Sequence, residues 1–281
     1  MKKVSKIIKS NYKFVAGAII GAALTGGTAY AATILLNSNQ VGFDNTGTSL
    51  SSTDVQGALD ELYQKAKILD SLNLMQTFKK SSLANTGDSA TLIDARDGNS
   101  YTVKKLADGN VWMTENLRIT GKTITSADSN VTSDFTIPAS SVSGFNAQDT
   151  NNAYVDSTYG GYYTFYTATA GTGGTSLTSG NAPSSICPKG WRLPTGGSSG
   201  EFQTLYNNYN SSALMQGEPN FTLSGYVYYG SVLGQGSRGD FWSSTVYSAN
   251  VAYYLYLSSS VVDPANYYDK YVGFSVRCMA I

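Results

Sequence analysis

Two Asp-Gly-Asn turns, Asp97-Gly98-Asn99 and Asp108-Gly109-Asn110, each flanked by short alternating segments, constrain this chain more than any other feature. An Asp-Gly step tolerates the positive φ of a tight hairpin turn, so segments 90–95, 100–104 and 110–114 are expected to pair antiparallel. Strand-like patterns return at 159–166, 220–226, 239–245, 251–257 and 273–279. In 251–257, Val251, Tyr253, Leu255 and Leu257 share one face while Ala252, Tyr254 and Tyr256 take the other. Phe274, Val276 and Cys278 likewise point together, which turns Cys278 inward. Ser198 and Glu201 have the spacing of a capping box, and Phe202, Leu205, Tyr206 and Tyr209 then fall on one face of a helix over 198–210. The Ser-, Thr-, Gly- and Asn-rich stretch 119–182 reads as long ordered loops, with 159–166 as its one strand. These elements are expected to make up one main domain over 81–281.

The N-terminus obeys a different rule. Lys2, Lys3, Lys6, Lys9 and Lys13 precede an apolar run from Phe14 to Leu36. Residues 1–36 are therefore a signal peptide, cut after Ala29-Tyr30-Ala31, or an uncleaved membrane anchor of about the length that spans a bilayer. Either way positive charge stays inside and the body is exported, to be membrane-anchored at the cell surface or secreted. Residues 37–80 then form a linker and a stalk: Thr53 and Gln56 suggest a capping box, and Val55, Ala58, Leu59, Leu62, Ala66, Leu69 and Leu72 recur at helical spacing. With about three heptads and Lys65 near the seam, this helix is either packed, a plain stalk or a weak oligomeriser.

Composition removes whole classes of chemistry. Histidine is absent from all 281 residues, which excludes Ser-His-Asp and Cys-His catalysis and His-bearing zinc sites. From Ala32 onward there are 14 basic against 19 acidic residues, a balance of −5. A mildly acidic body does not suit nucleic acid, whose phosphates require a basic face. No cofactor motif stands out.

Five segments in order carry a resemblance: Asp97-Gly-Asn-Ser-Tyr-Thr-Val103, Asn110-Val-Trp-Met-Thr-Glu-Asn-Leu117, Cys187-Pro-Lys-Gly-Trp-Arg-Leu-Pro-Thr195, Phe241-Trp-Ser-Ser-Thr245 and Gly273-Phe-Ser-Val-Arg-Cys278. Residues 89–281 resemble the Fibrobacter succinogenes major paralogous domain family. The resemblance implies a compact α+β domain of C-type-lectin-like fold with two helices, small antiparallel sheets and long loops, in an exported surface protein; it does not by itself imply sugar binding. In an oxidising exterior, the only two cysteines, Cys187 and Cys278, are expected to form a disulfide. Closing a loop of that length contributes roughly 4 kcal/mol on the chain-entropy model.

Candidate sites follow. Glu218-Pro219-Asn220 is spelled like the calcium-dependent mannose motif of true C-type lectins, but the downstream carboxylates are missing and a turn before a strand is the simpler reading. Trp112, Trp191 and Trp242 lie among apolar neighbours and read as core. Asp94, Asp97 and Glu115 are the carboxylates an enzyme on surface polymers would use, although Asp97 is already a turn residue. The segment 246–271 is richest in recognition chemistry. Rigid amphipathic tyrosines among small polar groups resemble an antibody paratope, and Tyr247, Asn250, Tyr254, Tyr256, Asp263, Asn266, Tyr267, Tyr268 and Asp269 are the candidate ligand residues. That bias also resembles the variable region of retroelement-diversified lectin-like proteins, from which the lack of His departs. The expected function is an exported binding or adhesion module for an unknown surface protein or glycan; the alternatives are an envelope protein without a discrete ligand and, third, a carboxylate-dependent enzyme.

Overall fold

The computed structural model describes Gly42, Asp44, Thr46 and residues 50–71 and 73–281. The expected leader at 1–36 and most of the linker lie outside the described residues. Two compact units divide the chain after Leu72.

In the first unit, helix α1 spans Val55–Ser71. Its cap is Asp54, not Thr53: Asp54 Oδ1 accepts from the Gly57 N–H at 2.8 Å, while Gln56 Nε2 turns to Asp60 Oδ1 at 2.9 Å. Glu61 Oε2 reaches back to the Ser51 N–H at 2.8 Å and ties the incoming chain to the helix. Leu59 and Leu62 are exposed.

The second unit, Asn73–Ile281, starts ahead of residue 81 because its first turn is already core. Met75 is fully buried, its carbonyl accepts from Trp191 Nε1 at 2.9 Å, and Phe78 stacks on Trp191. The unit mixes α and β. Five strands, β1 (Ser89–Ile93), β2 (Ser100–Lys105), β3 (Val111–Met113), β16 (Met279–Ala280) and β9 (Trp191–Arg192), form one antiparallel sheet in that spatial order. The two Asp-Gly-Asn turns connect its first three strands, as the turn chemistry requires. A larger sheet orders β14 (Val262–Asp269), β13 (Val251–Ser258), β12 (Arg238–Val246), β15 (Phe274–Ser275), β7 (Gly160–Tyr163) and β6 (Ala153–Asp156), with β8 (Gly180–Asn181) also paired to β12. Hairpins β4/β5 (Lys122–Ile124, Phe135–Ile137) and β10/β11 (Tyr226–Tyr228, Ser231–Leu233) complete the strands.

The C-terminal segment joins the two sheets. Its β15 runs parallel to β12, Phe241 beside Ser275, and five residues on, β16 pairs with both β3 and β9. Between these strands Cys278 is bonded to Cys187, 91 residues away, and both are fully buried. Gly273 is needed here because a Cβ would come within 2.6 Å of the Phe145 ring.

Several expectations require correction. Segment 159–166 is a strand only to Tyr163; Thr164 then caps a short helix, α2 (Phe165–Ala168), by accepting from the Thr167 N–H. Segment 220–226 is not a strand before Tyr226, because Phe221 packs edge-on against Phe202 and Phe241 instead of entering a ladder. Helix α3 spans Glu201–Tyr209, and Ser198 does not cap it. Thr195 takes that role from further upstream: its hydroxyl accepts from the Glu201 N–H at 3.0 Å, and Glu201 Oε2 accepts from the Thr195 N–H at 2.8 Å. Helix α4 (Ser212–Gln216) follows, so with α2 the unit holds three short α-helices among the described residues, one more than expected, besides 3-10 turns at Met75–Thr77 and Lys80–Ser82. The stretch 119–182 contains four strands besides β7.

Candidate binding face

The candidate residues lie on a three-stranded meander, β12 to β13 to β14, and its turns; strands were expected at 239–245 and 251–257, and β14 is an addition. Tight turns at 247–250 and 259–261 fold it back, and β14 forms one edge of the larger sheet. Pro264 fits that edge, where a missing N–H is tolerated. The pairing runs Ala252 to Tyr268, Tyr253 to Tyr267 and Tyr254 to Asn266, then slips by one so that Tyr256 meets Asp263. Asp263 Oδ1 accepts from the Ala265 N–H at 3.0 Å within this bulge. Strand alternation therefore sorts the tyrosines onto two faces.

On one face Tyr253 and Tyr267 are direct cross-strand neighbours. Tyr247, from the preceding turn, lies flat on Tyr267 with ring centroids 4.2 Å apart and planes within 8°, and meets Tyr253 edge-on at 5.3 Å. Tyr247 is 48% exposed and Tyr267 50%. Further along this face, Leu255 and Leu257 are buried in one cluster with Phe202 and Leu205 of helix α3. Toward Tyr253 that cover gives way to Gly196 and Gly197. A Cβ on Gly196 would meet Ser243 Oγ at 2.5 Å and Tyr253 Cβ at 2.7 Å, so the bare backbone is what lets this loop lie on the strand.

The opposite face is closed at its centre, while Tyr268, 39% exposed, and Tyr229, 60% exposed, lie at its margin. Tyr254 is only 2% exposed and packs on Trp242 and Phe274, at 6.2 and 4.5 Å. Its assignment to the ligand face is corrected: burial removes the ring from contact and raises its hydroxyl pKa well above the usual tyrosine range. Tyr268 leans on Phe274. Tyr256 is half-buried, with the Arg238 guanidinium held between its ring and that of Tyr226, 4.9 and 4.5 Å away. Arg238 also forks onto Asp240, Nε to Oδ2 at 2.8 Å and Nη2 to Oδ1 at 2.5 Å. Burial pushes Asp240 up to about 6 against the pull of Arg238. Tyr228, Tyr229 and Tyr271 extend this packing.

The polar candidates divide as well. Asn250 is exposed beside Tyr247. Asn266 turns its Oδ1 onto the Tyr267 N–H at 2.8 Å, and Asp269 is half-buried at the end of β14. The neighbouring Lys270 is buried, with Nζ 3.0 Å from both the Gly174 and Leu177 carbonyls, and burial lowers its pKa to about 8.

The Gly196 loop leads from the exposed tyrosines to a cavity of about 220 Å³, lined by Asn130, Asn181, Ser184, Arg192 and Thr195 among others. Thr245 bridges the two, its hydroxyl accepting from the Gly196 N–H at 2.9 Å and donating to Asn181 Oδ1 at 2.6 Å. Arg192 is paired with Glu201, Nη1 to Oε2 at 2.7 Å. Burial alone would raise Glu201, but Arg192 and the Thr195 N–H hold it below the ordinary carboxylate range. Tyr253, Gly196, Asn181 and Ser184 were not among the candidate ligand residues. The alternation had put Tyr253 on the face of Val251, Leu255 and Leu257, away from Tyr254 and Tyr256, but nothing local ties 181–196 to 253.

The remaining motifs serve the fold. Pro219 O and Asn220 O accept from the buried Arg277 guanidinium, Asn220 Nδ2 donates to Thr114 O, and Glu218 Oε2 accepts from the Tyr209 hydroxyl. Asn220 sits at φ +54°, which marks a constrained turn. Trp112, Trp191 and Trp242 are fully buried, each indole N–H bonded to an internal acceptor. Asp94 is buried against Arg96 at 2.6 Å, Asp97 caps its own turn through the Asn99 N–H, and Glu115 pairs with Arg118 at 3.5 Å.

Residues 107–216 match the family model of the Fibrobacter succinogenes major domain. That stretch holds the Trp112 and Cys187–Thr195 motifs, while the Asp97 turn, Phe241–Thr245 and Gly273–Cys278 lie outside it and join the same two sheets. No curated protein and no solved structure matches the chain.

Proposed function

We propose that this chain, with its Fibrobacter succinogenes major domain, is an exported binding module that presents the Tyr247, Tyr253 and Tyr267 face to a ligand at or near the cell surface. The observation that carries this reading is the Tyr247–Tyr267 pair: two large rings stacked on one another, each about half exposed, on a braced sheet edge. Rigid aromatic area held in place before binding loses little conformational entropy on contact. Asn250, exposed in the adjoining turn, borders it with an adaptable polar group. The export leader at 1–36, the stalk and the lectin-like fold belong to the same proposal, and the buried disulfide agrees with an oxidising exterior.

An array of glycans and surface proteins probed with the chain tests the reading. A hit is expected to be lost on Tyr247→Ala plus Tyr267→Ala with the fold intact; a hit that survives the double substitution moves the site elsewhere. The burial of Tyr254 and the clamping of Arg238 against Tyr256 favour a structural role for the other half of the segment; Tyr268, 39% exposed, lies on that opposite side, so Tyr268→Ala is expected to weaken binding much less.

A further inference from the structure

We infer that the ligand of this face is a neutral saccharide whose ring lies on the exposed tyrosines and whose hydroxyls enter the neighbouring cavity. The inference rests on the proposed binding face and names what it takes.

Three observations carry it. First, the face is amphipathic over a short span: Tyr253 touches Gly196, Gly196 follows Thr195, and Thr195 lines the cavity. A ligand crossing this boundary meets aromatic carbon first and then amides and hydroxyls, the sequence a sugar ring presents through its C–H face and its hydroxyl rim. Second, the cavity wall is balanced in charge. Arg192 is the charged residue lining it, and Glu201 neutralises it through a two-pronged pair. A carboxylate- or sulfate-bearing ligand would find no unpaired cation there, and a cationic one no unpaired anion.

The third observation points to a ligand directly. Ser184 forms part of the wall, is 2% exposed, and its Oγ has no hydrogen-bond partner. A buried hydroxyl left unpaired carries a desolvation cost, and such groups are rare in settled folds. A hydroxyl of an incoming saccharide is the group that would satisfy it. Asn181, exposed at the mouth and oriented by Thr245, is placed to meet the same ring.

The test uses the full chain and a panel of neutral, uronate-bearing and sulfated oligosaccharides together with unmodified peptides. Titration calorimetry follows on the retained compounds, and thermal unfolding is run on every variant. Retention of neutral oligosaccharides is expected, weakened about tenfold or more by Tyr267→Ala, as for a central aromatic anchor. Asn181→Ala and Ser184→Ala are each expected to weaken binding roughly two- to tenfold, the worth of one hydrogen bond. Ser184→Ala is the informative variant. It removes an unpaired group, so the melting temperature should hold or rise while affinity falls, a combination a purely structural serine would not give. Binding of peptides alone, lost in Tyr267→Ala, would overturn the saccharide and leave the face. So would neutral-sugar binding that depends on Tyr267 but ignores Asn181 and Ser184, or retention confined to acidic sugars. Saccharide binding indifferent to Tyr247 and Tyr267 would overturn face and inference together, and retention of no neutral compound would overturn the inference.

Discussion

The two sides of one meander use the same residue type for opposite ends. Tyr253 and Tyr254 are adjacent in sequence and share the strand β13, yet Tyr254 is walled in by Trp242 and Phe274 while Tyr253 joins an exposed stack. A tyrosine's ring buries well and its hydroxyl is content in water, so composition alone cannot say which role it takes. Strand alternation decides it, one residue at a time. The closed side is braced by an aromatic core and an Arg238–Asp240 pair; the open side is left uncovered where a glycine loop replaces helix α3.

The largest effect should come from the closed side. Tyr254→Ala removes a buried ring from between Trp242 and Phe274, and denaturant unfolding of the oxidised chain is expected to show a loss of about 3 to 5 kcal/mol. A loss under about 1 kcal/mol would erase the distinction between the faces. Next in size is Arg238→Gln, which leaves Asp240 buried without its cation; because Arg238 is partly exposed, about 2 to 3 kcal/mol is expected.

Lys270, at the end of β14, sharpens the comparison through pH. Burial lowers its folded pKa to about 8, against the ordinary 10.5 that the unfolded chain keeps. Between those values the unfolded state binds more protons, so the Lys270 contribution to stability rises with pH across about 8 to 10.5. Tyrosines raised by burial, such as Tyr209 at about 12, act in the opposite sense above about pH 10. The readout is therefore the stability of wild type minus that of Lys270→Met, which should rise with pH across that window; a difference independent of pH would place Lys270 in solvent. The smallest effect belongs to the open side. Tyr247→Ala or Tyr267→Ala is expected to cost about 1 kcal/mol or less, since each ring loses chiefly its stacked partner.

Local rules made part of this legible in the sequence. The Asp97 and Asp108 turns announced the hairpins of the smaller sheet, and period-two alternation placed Tyr253 and Tyr254 on opposite faces. The inward turn of Cys278 followed from the same rule. What local rules missed was set by distant partners. Phe221 has a strand's residue type but is taken by Phe202 and Phe241. Ser198 has a cap's spacing, yet Thr195 reaches Glu201 first. Strand β14 hid behind Pro264 and a bulge, so no strand pattern was legible there. The approach of Asn181 and Gly196 to Tyr253 is a tertiary event with no local signature. Composition carried Tyr254 into the candidate list although it is buried, because knowing that two residues face apart does not say which side is covered.

Tyrosine nitration read residue by residue by mass spectrometry tests the two-faced division most directly, on the oxidised chain with and without a saccharide that it retains. Tyr247 and Tyr267 should be modified readily and Tyr254 hardly at all, with the ligand protecting the first pair. Modification of Tyr254 at a rate matching Tyr267, or a bound saccharide that leaves Tyr247 and Tyr267 as reactive as before, would contradict the account.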